Sequence, residues 1–320
     1  MENKKGKLIL MIIAIVIVIA LILTVFFDVF KIDTKTKKEE TETKEETKEF
    51  SYMPLTYKVC DEDSCVYITG SIHLGDKRIT KIDEKLIKIF EECDYLALEV
   101  HDDAELDTSS FMLKNGQTIK DLVSPDLYAK MEKFEEDHPM FILKTLNNFT
   151  PAYMYDYIDL LPYIENKYTR EGVDSFFESK AEKANNEILA FETTEFQMNI
   201  LFGYSNEFYF SQIEDTIDNY EEVEKDALEM YEAYLSGDEE RIKAAIDLEL
   251  EEGEELTEEE QHFFDAIFTN RNVHMTEVIE EYLRDNKEVF VVVGEAHVVP
   301  KDGIIDALTQ TGNYKIEVVK

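Results

Sequence analysis

Two short motifs in the chain place a histidine three residues after a glycine, directly behind an apolar run rich in β-branched residues. Val66–Thr69 leads into Gly70-Ser71-Ile72-His73, and Val289–Val293 leads into Gly294-Glu295-Ala296-His297. Apolar runs of this kind are typical of buried strands. Open α/β sheets build their sites at the carboxyl ends of strands, so the two motifs predict two imidazoles at such an edge.

Two carboxylates follow two further apolar runs in the same way. Tyr95–Leu98 ends in Glu99, and Ile188–Phe191 ends in Glu192. Imidazoles and carboxylates together bind zinc, manganese or cobalt, and such an ion can lower the pKa of a bound water to about 7. A glutamate that is not a ligand could act as general base for that water. The predicted ligands of a divalent metal ion are His73, His297, Glu99 and Glu192.

Two more side chains could act beside such an ion. Arg271, at the start of a predicted helix, could stabilise an oxyanion or bind a substrate carboxylate, and it could equally pair with one of the many acids. Asp174 could orient a ligand histidine, or it could cap the helix that follows it. We predict Arg271 as a catalytic residue together with Glu99 and Glu192.

The composition excludes several other classes of function. The chain has 33 basic and 71 acidic residues and a net charge of -38, whereas a nucleic-acid-binding protein needs a basic face. Much of the acid lies between Glu214 and Glu260, as solvated helix faces or as a weak cation-binding face. The sequence contains no nucleophile elbow, Walker loop or H-E-x-x-H motif, and no cysteine is placed beside a base.

The first 50 residues differ from the rest of the chain. Leu8–Phe27 carries no charge, and as a helix it would span about 30 Å, the thickness of a membrane core. We predict a short cytoplasmic tail at 1–7, a single transmembrane anchor at 8–27 and a charged linker at 28–50, which could be an extended tether or a continuing helix. Lysines flank both sides of the anchor. We expect the body outside the cytoplasm, because long domains translocate whatever their charge.

The body, residues 51–320, predicts an α/β domain. Leu55–Cys60 and Cys65–Thr69 predict a strand hairpin, followed by an amphipathic helix around Asp83–Glu92 and a buried strand at Tyr95–Val100. This alternation is the βαβ pattern of a parallel sheet. We therefore predict a central mixed, largely parallel sheet with helical insertions, preceded by the transmembrane helix.

The helical insertions are predicted at about 104–170 and 205–270. The first is rich in aromatic residues, which could form a helical core or a wall that grips an apolar or peptide-like substrate. Cys60 and Cys65 flank the hairpin turn, and outside the cytoplasm they could form a disulfide, the alternative being two free thiols. Cys93 is predicted to be a core residue.

The order and spacing of these blocks resemble the TraB/PrgY/GumN family, which is related to the TIKI metalloproteases. The resemblance covers about Pro54 to Val319. Its blocks are Pro54–Val59 with Val66–Gly75, Leu96–Glu99, Gly172–Asp174, Leu189–Thr193 with Glu195–Gln197, and Arg271-Asn272 with Val291–His297.

The resemblance implies a metal-dependent hydrolase fold in which both histidine motifs matter. It implies that His73 and His297 are metal ligands and that Glu99 and Glu192 are ligands or the base. TIKI proteins cleave N-terminal segments of secreted signals, and PrgY and TraB members are linked to shutting down peptide pheromones. We expect a membrane-anchored peptidase for an extracytoplasmic peptide or protein. The alternatives are a tethered protein that sequesters a peptide without cleaving it, and a member that retains only the fold.

Overall fold

The computed structural model describes residues 50–102, 108–246 and 255–320. The predicted tail (1–7), the predicted anchor (8–27) and the predicted linker up to residue 49 lie outside the described residues. So do 103–107 and 247–254, most of which fall in the two predicted insertions. Within the described ranges, no helix is both long enough and apolar enough to cross a membrane.

A six-stranded mixed sheet forms the centre of the described chain. The strands are β1 (Thr56–Cys60), β2 (Cys65–Ser71), β3 (Tyr95–Val100), β4 (Glu187–Glu192), β5 (Val289–Gly294) and β6 (Lys315–Val318). Their order is β4-β3-β5-β2-β1-β6. The first four in this order are mutually parallel, whereas β1 runs antiparallel to both β2 and β6. The predicted α/β class and the mixed, largely parallel sheet are confirmed.

The parallel strands end level with one another. Ser71 of β2 lies opposite Gly294 of β5, and Leu98 of β3 lies opposite Val292 of β5. All six residues of β5 are buried, as expected for a strand of continuous β-branched character inside a parallel sheet. The carboxyl ends of β4, β3, β5 and β2 therefore form one edge of the sheet.

Helices make up most of the remaining described chain, with a 3₁₀ turn at Thr108–Phe111 and a π-helical turn at Asp265–Thr269. Asp83 caps the first helix by accepting a hydrogen bond from the backbone N of Lys85. The helices are α1 (Glu84–Glu92), α2 (Ile119–Leu122), α3 (Pro125–Asp137), α4 (Leu143–Leu146), α5 (Pro151–Glu165), α6 (Val173–Ala184), α7 (Thr194–Phe202), α8 (Asn206–Asp218), α9 (Tyr220–Ser236), α10 (Glu239–Ala245), α11 (Glu258–Phe264), α12 (Asn270–Arg284), α13 (Glu295–Val298) and α14 (Ile304–Thr311).

Helix α5 is the buried centre of the helical region. Its residues from Pro151 to Tyr163 are all buried, so its tyrosines belong to a core rather than to an exposed wall. The helix also carries two buried acids, Asp156 and Asp159. Each leaves one carboxylate oxygen without a hydrogen-bond partner among the described residues. Burial raises the pKa of Asp156 to about 8 and also raises that of Asp159.

The three cysteines fall into two environments. Cys60 and Cys65 are directly opposite in the β1–β2 hairpin and form a disulfide, the first of the two alternatives left open by the sequence. Cys93 is free and buried at the end of α1, and desolvation raises its pKa to about 12. Because a thiol with so high a pKa is not a nucleophile at neutral pH, Cys93 is a core residue as predicted.

Candidate functional site

The carboxyl edge of the parallel strands gathers the residues that the sequence singled out. Glu192 ends β4, and Glu99 is the last residue but one of β3. His73 follows β2 by two residues, and His297 lies three residues after the end of β5. Since these strands are neighbours about 4.8 Å apart, four distant segments of the chain meet at this edge.

Arg271 binds both of the predicted glutamates. Its Nε donates to Glu192 Oε1 at 2.8 Å, and its Nη2 donates to Glu99 Oε2 at 2.6 Å. Its Nη1 donates to the carbonyl of Ile267 at 3.3 Å. The side-chain amide of Gln197 donates to Glu192 Oε2 at 3.0 Å and to Glu99 Oε2 at 3.3 Å. We call Arg271, Glu99, Glu192 and Gln197 the arginine cluster.

The arginine cluster joins the strand ends to helix α12. Arg271 is only 1% exposed. Burial would by itself lower its pKa, but the charges of Glu99 and Glu192 outweigh this and raise the pKa. The remaining oxygen of Glu99 accepts from the backbone N of Gly294 at 2.5 Å, which ties β3 to the end of β5. The sequence left two roles open for Arg271, and the structure shows the ion pair with acids of the chain itself. The catalytic and ligand roles of Glu99, Glu192 and Arg271 stay predictions.

His73 is positioned by the start of α6. Its Nδ1 lies 3.0 Å from Asp174 Oδ1. Helix α6 has Gly172 as its N-cap residue, and Asp174 is in its first turn, so Asp174 does not occupy the cap position. A Cβ at Gly172 would lie 2.7 Å from the Cα of His73, which explains why glycine stands there. Asp174 thus has the geometry of a group that orients a ligand histidine.

His297 is fully buried and has a defined protonation state. Burial lowers its pKa well below the usual value, with further lowering from the charges of Arg271 and His73, so the ring is neutral. Its Nδ1 lies 2.6 Å from Asn272 Oδ1, and Asn272 Nδ2 donates to the carbonyl of Asp302. Because the Asn272 oxygen accepts, His297 Nδ1 carries the proton and Nε2 carries a lone pair. Nε2 has no hydrogen-bond partner among the described residues, so it is available to a ligand.

Glu295 is the site residue that sequence reasoning missed. It lies within the second motif, is buried, and neither of its carboxylate oxygens has a hydrogen-bond partner among the described residues. Burial, followed by the charge of Glu239, raises its pKa to about 8. Its carboxylate packs on Gly70 of the first motif, where a Cβ would lie 1.3 Å from Oε2. The sequence did contain a signal for Glu295, since this carboxylate follows a strand end by one residue and lies inside the second histidine motif.

The donor chemistry of this edge fits a divalent metal ion. His297 Nε2 and the Glu295 oxygens are buried donors without partners, and they are the atom types that zinc, manganese and cobalt bind. In the described ranges, no three His, Cys, Asp or Glu side chains stand close enough together to hold an ion as they are placed. The donor types therefore fit, and the side chains would have to close around the ion.

The contact between Gly70 and Glu295 gives a direct test of the packing. We expect Gly70→Ala to lose about 1–3 kcal/mol of unfolding free energy, because the new methyl group overlaps the Glu295 carboxylate. Urea denaturation measures this loss. The double variant Gly70→Ala/Glu295→Ala should recover much of it. If adding Glu295→Ala to Gly70→Ala recovers nothing, the two residues are not in the contact described.

The family of the chain follows from its match to known proteins. A family model described as the TraB/PrgY/gumN family matches residues 55–317. The chain belongs to the TraB/PrgY/gumN family. The matched region runs from just before β1 into β6 and contains every residue of the candidate site, so the family resemblance seen in the sequence blocks is confirmed. No match was found among curated proteins or among solved structures.

Three of the other four histidines of this TraB/PrgY/gumN family member, His101, His138 and His274, have local partners. His101 Nδ1 lies 2.9 Å from Glu178 Oε1, and His138 Nδ1 lies 3.1 Å from Glu165 Oε2. His274 Nε2 lies 3.0 Å from the carbonyl of Phe191. Because these contacts lie outside the proposed metal-binding set, the three residues are useful controls.

Proposed function

We propose that this TraB/PrgY/gumN family member is a membrane-anchored, divalent-metal-dependent hydrolase, and that it acts as a peptidase on an extracytoplasmic peptide or protein. The observation that carries the proposal is the buried lone pair of His297 Nε2 without a partner, at the strand edge that also holds His73 and the partnerless carboxylate of Glu295. Leaving such groups unpaired costs free energy, so folds retain them where a ligand compensates.

The protein residues divide into binding and positioning groups. His73 and His297 would hold the ion, with Asp174 and Asn272 orienting the two rings from behind. A bound zinc, manganese or cobalt ion would supply an activated water for hydrolysis. The arginine cluster fixes the ends of β3 and β4 relative to α12.

We choose the carboxylate that would complete the site by asking which of the acids has no counter-ion. Glu99 and Glu192 are the candidates from the sequence, but both are already bound to Arg271. Glu295 has no such partner, so we favour it as the third ligand or as the group that accepts a proton from water. Comparing Glu295→Gln with Glu99→Gln and Glu192→Gln in metal binding separates the assignments.

Separate observations support the proposed location outside the cytoplasm and the proposed peptide substrate. A disulfide such as Cys60–Cys65 forms in oxidising compartments, which favours a body outside the cytoplasm. The uncharged run Leu8–Phe27 has the length of an anchor. The choice of a peptide substrate rests on the resemblance to the TIKI proteases.

A cleavage assay tests the proposal. The full chain, purified in detergent, is incubated with a peptide library and zinc, manganese or cobalt, and the products are read by mass spectrometry. We expect metal-dependent cleavage that chelator removes and that His73→Ala and His297→Ala each reduce by more than about 100-fold. The matched controls His138→Ala and His274→Ala should keep it.

A second candidate is a tethered protein that binds a peptide without cleaving it. It is favoured by a cavity of about 760 Å³ beside the site, large enough to hold part of a peptide. Peptide binding with no metal and no cleavage in the same assay would support this candidate and contradict the hydrolase.

A further inference from the structure

The cavity beside the site is bordered by four segments of the described chain. They are the strand β1, the helix α10 with its following residue Ile246, the stretch from Phe264 to Asn272, and the stretch from Val299 to Thr309. The volume of about 760 Å³ is in the range of small-molecule and peptide side-chain sites.

The cavity is lined both by apolar side chains that lie within the fold and by charged and polar residues. Tyr57, Phe268 and Val299 line it and are buried within the fold, and Ile305 lines it half-buried. Charged residues of both signs stand around them. One of these, Lys243, is held by Glu239 at 2.7 Å, so its charge is already paired. Buried apolar side chains in a cavity wall bind apolar groups, and the paired lysine does not mark a carboxylate site.

The cavity shares a wall with the candidate site. Asn272, which lines it, is the residue that holds His297 Nδ1, and the Phe268 ring packs beside the His297 ring with centroids 5.8 Å apart. A peptide held at the site would therefore lie next to this cavity.

We propose that this cavity binds an apolar side chain of the peptide substrate, next to the residue at the candidate metal site. The proposal rests on the proposed function, since it names the part of a peptide that the same site would select. The volume accommodates a side chain of the size of leucine or phenylalanine together with flanking backbone. Removing such a side chain from water supplies binding free energy without any new charged contact.

A single-tryptophan reporter tests the cavity independently of catalysis. The natural chain has no tryptophan, so Thr309→Trp at the rim gives one fluorescent probe there. Gln310→Trp, exposed on the same helix and outside the cavity wall, is the matched control. The probes are two blocked peptides, acetyl-Gly-Gly-Leu-Gly-Gly-amide and its serine counterpart, titrated into the full chain in detergent with chelator present.

We expect the leucine peptide to change the Thr309→Trp emission with a roughly tenfold lower Kd than the serine peptide, and to leave Gln310→Trp unchanged. Adding Ile305→Phe, which takes up cavity volume, should raise the Kd of the leucine peptide by a similar factor. Equal affinities for the two peptides, or no effect of Ile305→Phe, would overturn the proposal. So would an emission change that depends on protein concentration without peptide, since a second copy would then occupy the cavity.

The experiments distinguish a failure of the hydrolase proposal from a failure of the cavity proposal. Leucine preference in chelator together with no cleavage under any metal contradicts the hydrolase and leaves the cavity as part of a peptide-binding protein. Metal-dependent cleavage without leucine preference contradicts only the cavity.

Discussion

The Arg271→Met variant should lose about 3–5 kcal/mol of unfolding free energy, the range for removing one partner of a buried ion pair. The side chain of Arg271 is the cation shared by Glu99 and Glu192, and all three side chains are less than 10% exposed. Without it, two carboxylates remain buried close together, joined through one amide of Gln197. The cost is the desolvation of charges that no longer have a counter-ion. Urea denaturation followed by circular dichroism measures the change.

The control for this prediction lies on the same helix. Arg284 ends α12, its side chain is 62% exposed, and it stands 3.7 Å from Glu281. Arg284→Met should change the unfolding free energy by no more than about 0.5 kcal/mol, because exposed ion pairs contribute little. The triple variant Arg271→Met/Glu99→Gln/Glu192→Gln should recover part of the loss. Similar losses for Arg271→Met and Arg284→Met would show that the arginine cluster is not the buried charge centre described.

The second large effect is a pH dependence of the unfolding free energy that comes from Asp156. Its pKa rises from 3.8 to about 8 in the folded protein because burial disfavours the charged carboxylate. The folded state therefore holds a proton that the unfolded state releases. The resulting stabilisation is complete below about pH 4, declines as the pH rises, and is lost above about pH 8. Four pH units correspond to about 5 kcal/mol, so this one residue should make the protein markedly less stable at pH 8 than at pH 4.

Asp156→Asn removes the ionisable group and should remove this part of the pH dependence. We expect the variant to be more stable than the natural chain at pH 8 by about 2–5 kcal/mol, and to differ little from it at pH 4. Thermal unfolding followed at several pH values checks this. Asp137→Asn, an exposed acid at the end of α3, is the control and should leave the profile unchanged. A profile that Asp156→Asn does not alter would contradict a buried, protonated Asp156.

The strands were predictable because their signal is local. The β-branched run before His297 and the two runs flanking the Cys60–Cys65 turn fix a strand and a hairpin by composition and by turn length. The order of strands was not predictable in the same way. The sequence suggests that β2 and β3 are a βαβ pair, yet β5 lies between them. A crossover helix predicts that two strands are parallel. It does not predict that they are neighbours, because a later strand can insert between them.

The same distinction applies to the site: residues marked by a local sequence pattern were predictable, and contacts between distant residues were not. The two histidines were found because glycine spacing and strand ends are visible in the chain. Asp174 was left between two roles because its contact with His73 spans a hundred residues of sequence. The pairing of Arg271 with Glu99 links residues 172 positions apart, and no local pattern encodes it. Glu295 was passed over because its significance lies in burial without a partner, which only the packed structure reveals.

Metal content is the most direct test of the central claim that the strand-edge residues hold one divalent ion. The full chain is purified without chelator, and its zinc, manganese and cobalt are measured by elemental analysis beside His297→Ala, His73→Ala and the control His138→Ala. We expect about one ion per chain in the natural protein and in His138→Ala. We expect His297→Ala and His73→Ala to lose the ion while their circular dichroism stays unchanged. A natural protein without metal, or a folded His297→Ala variant that keeps its full metal content, would contradict the central claim.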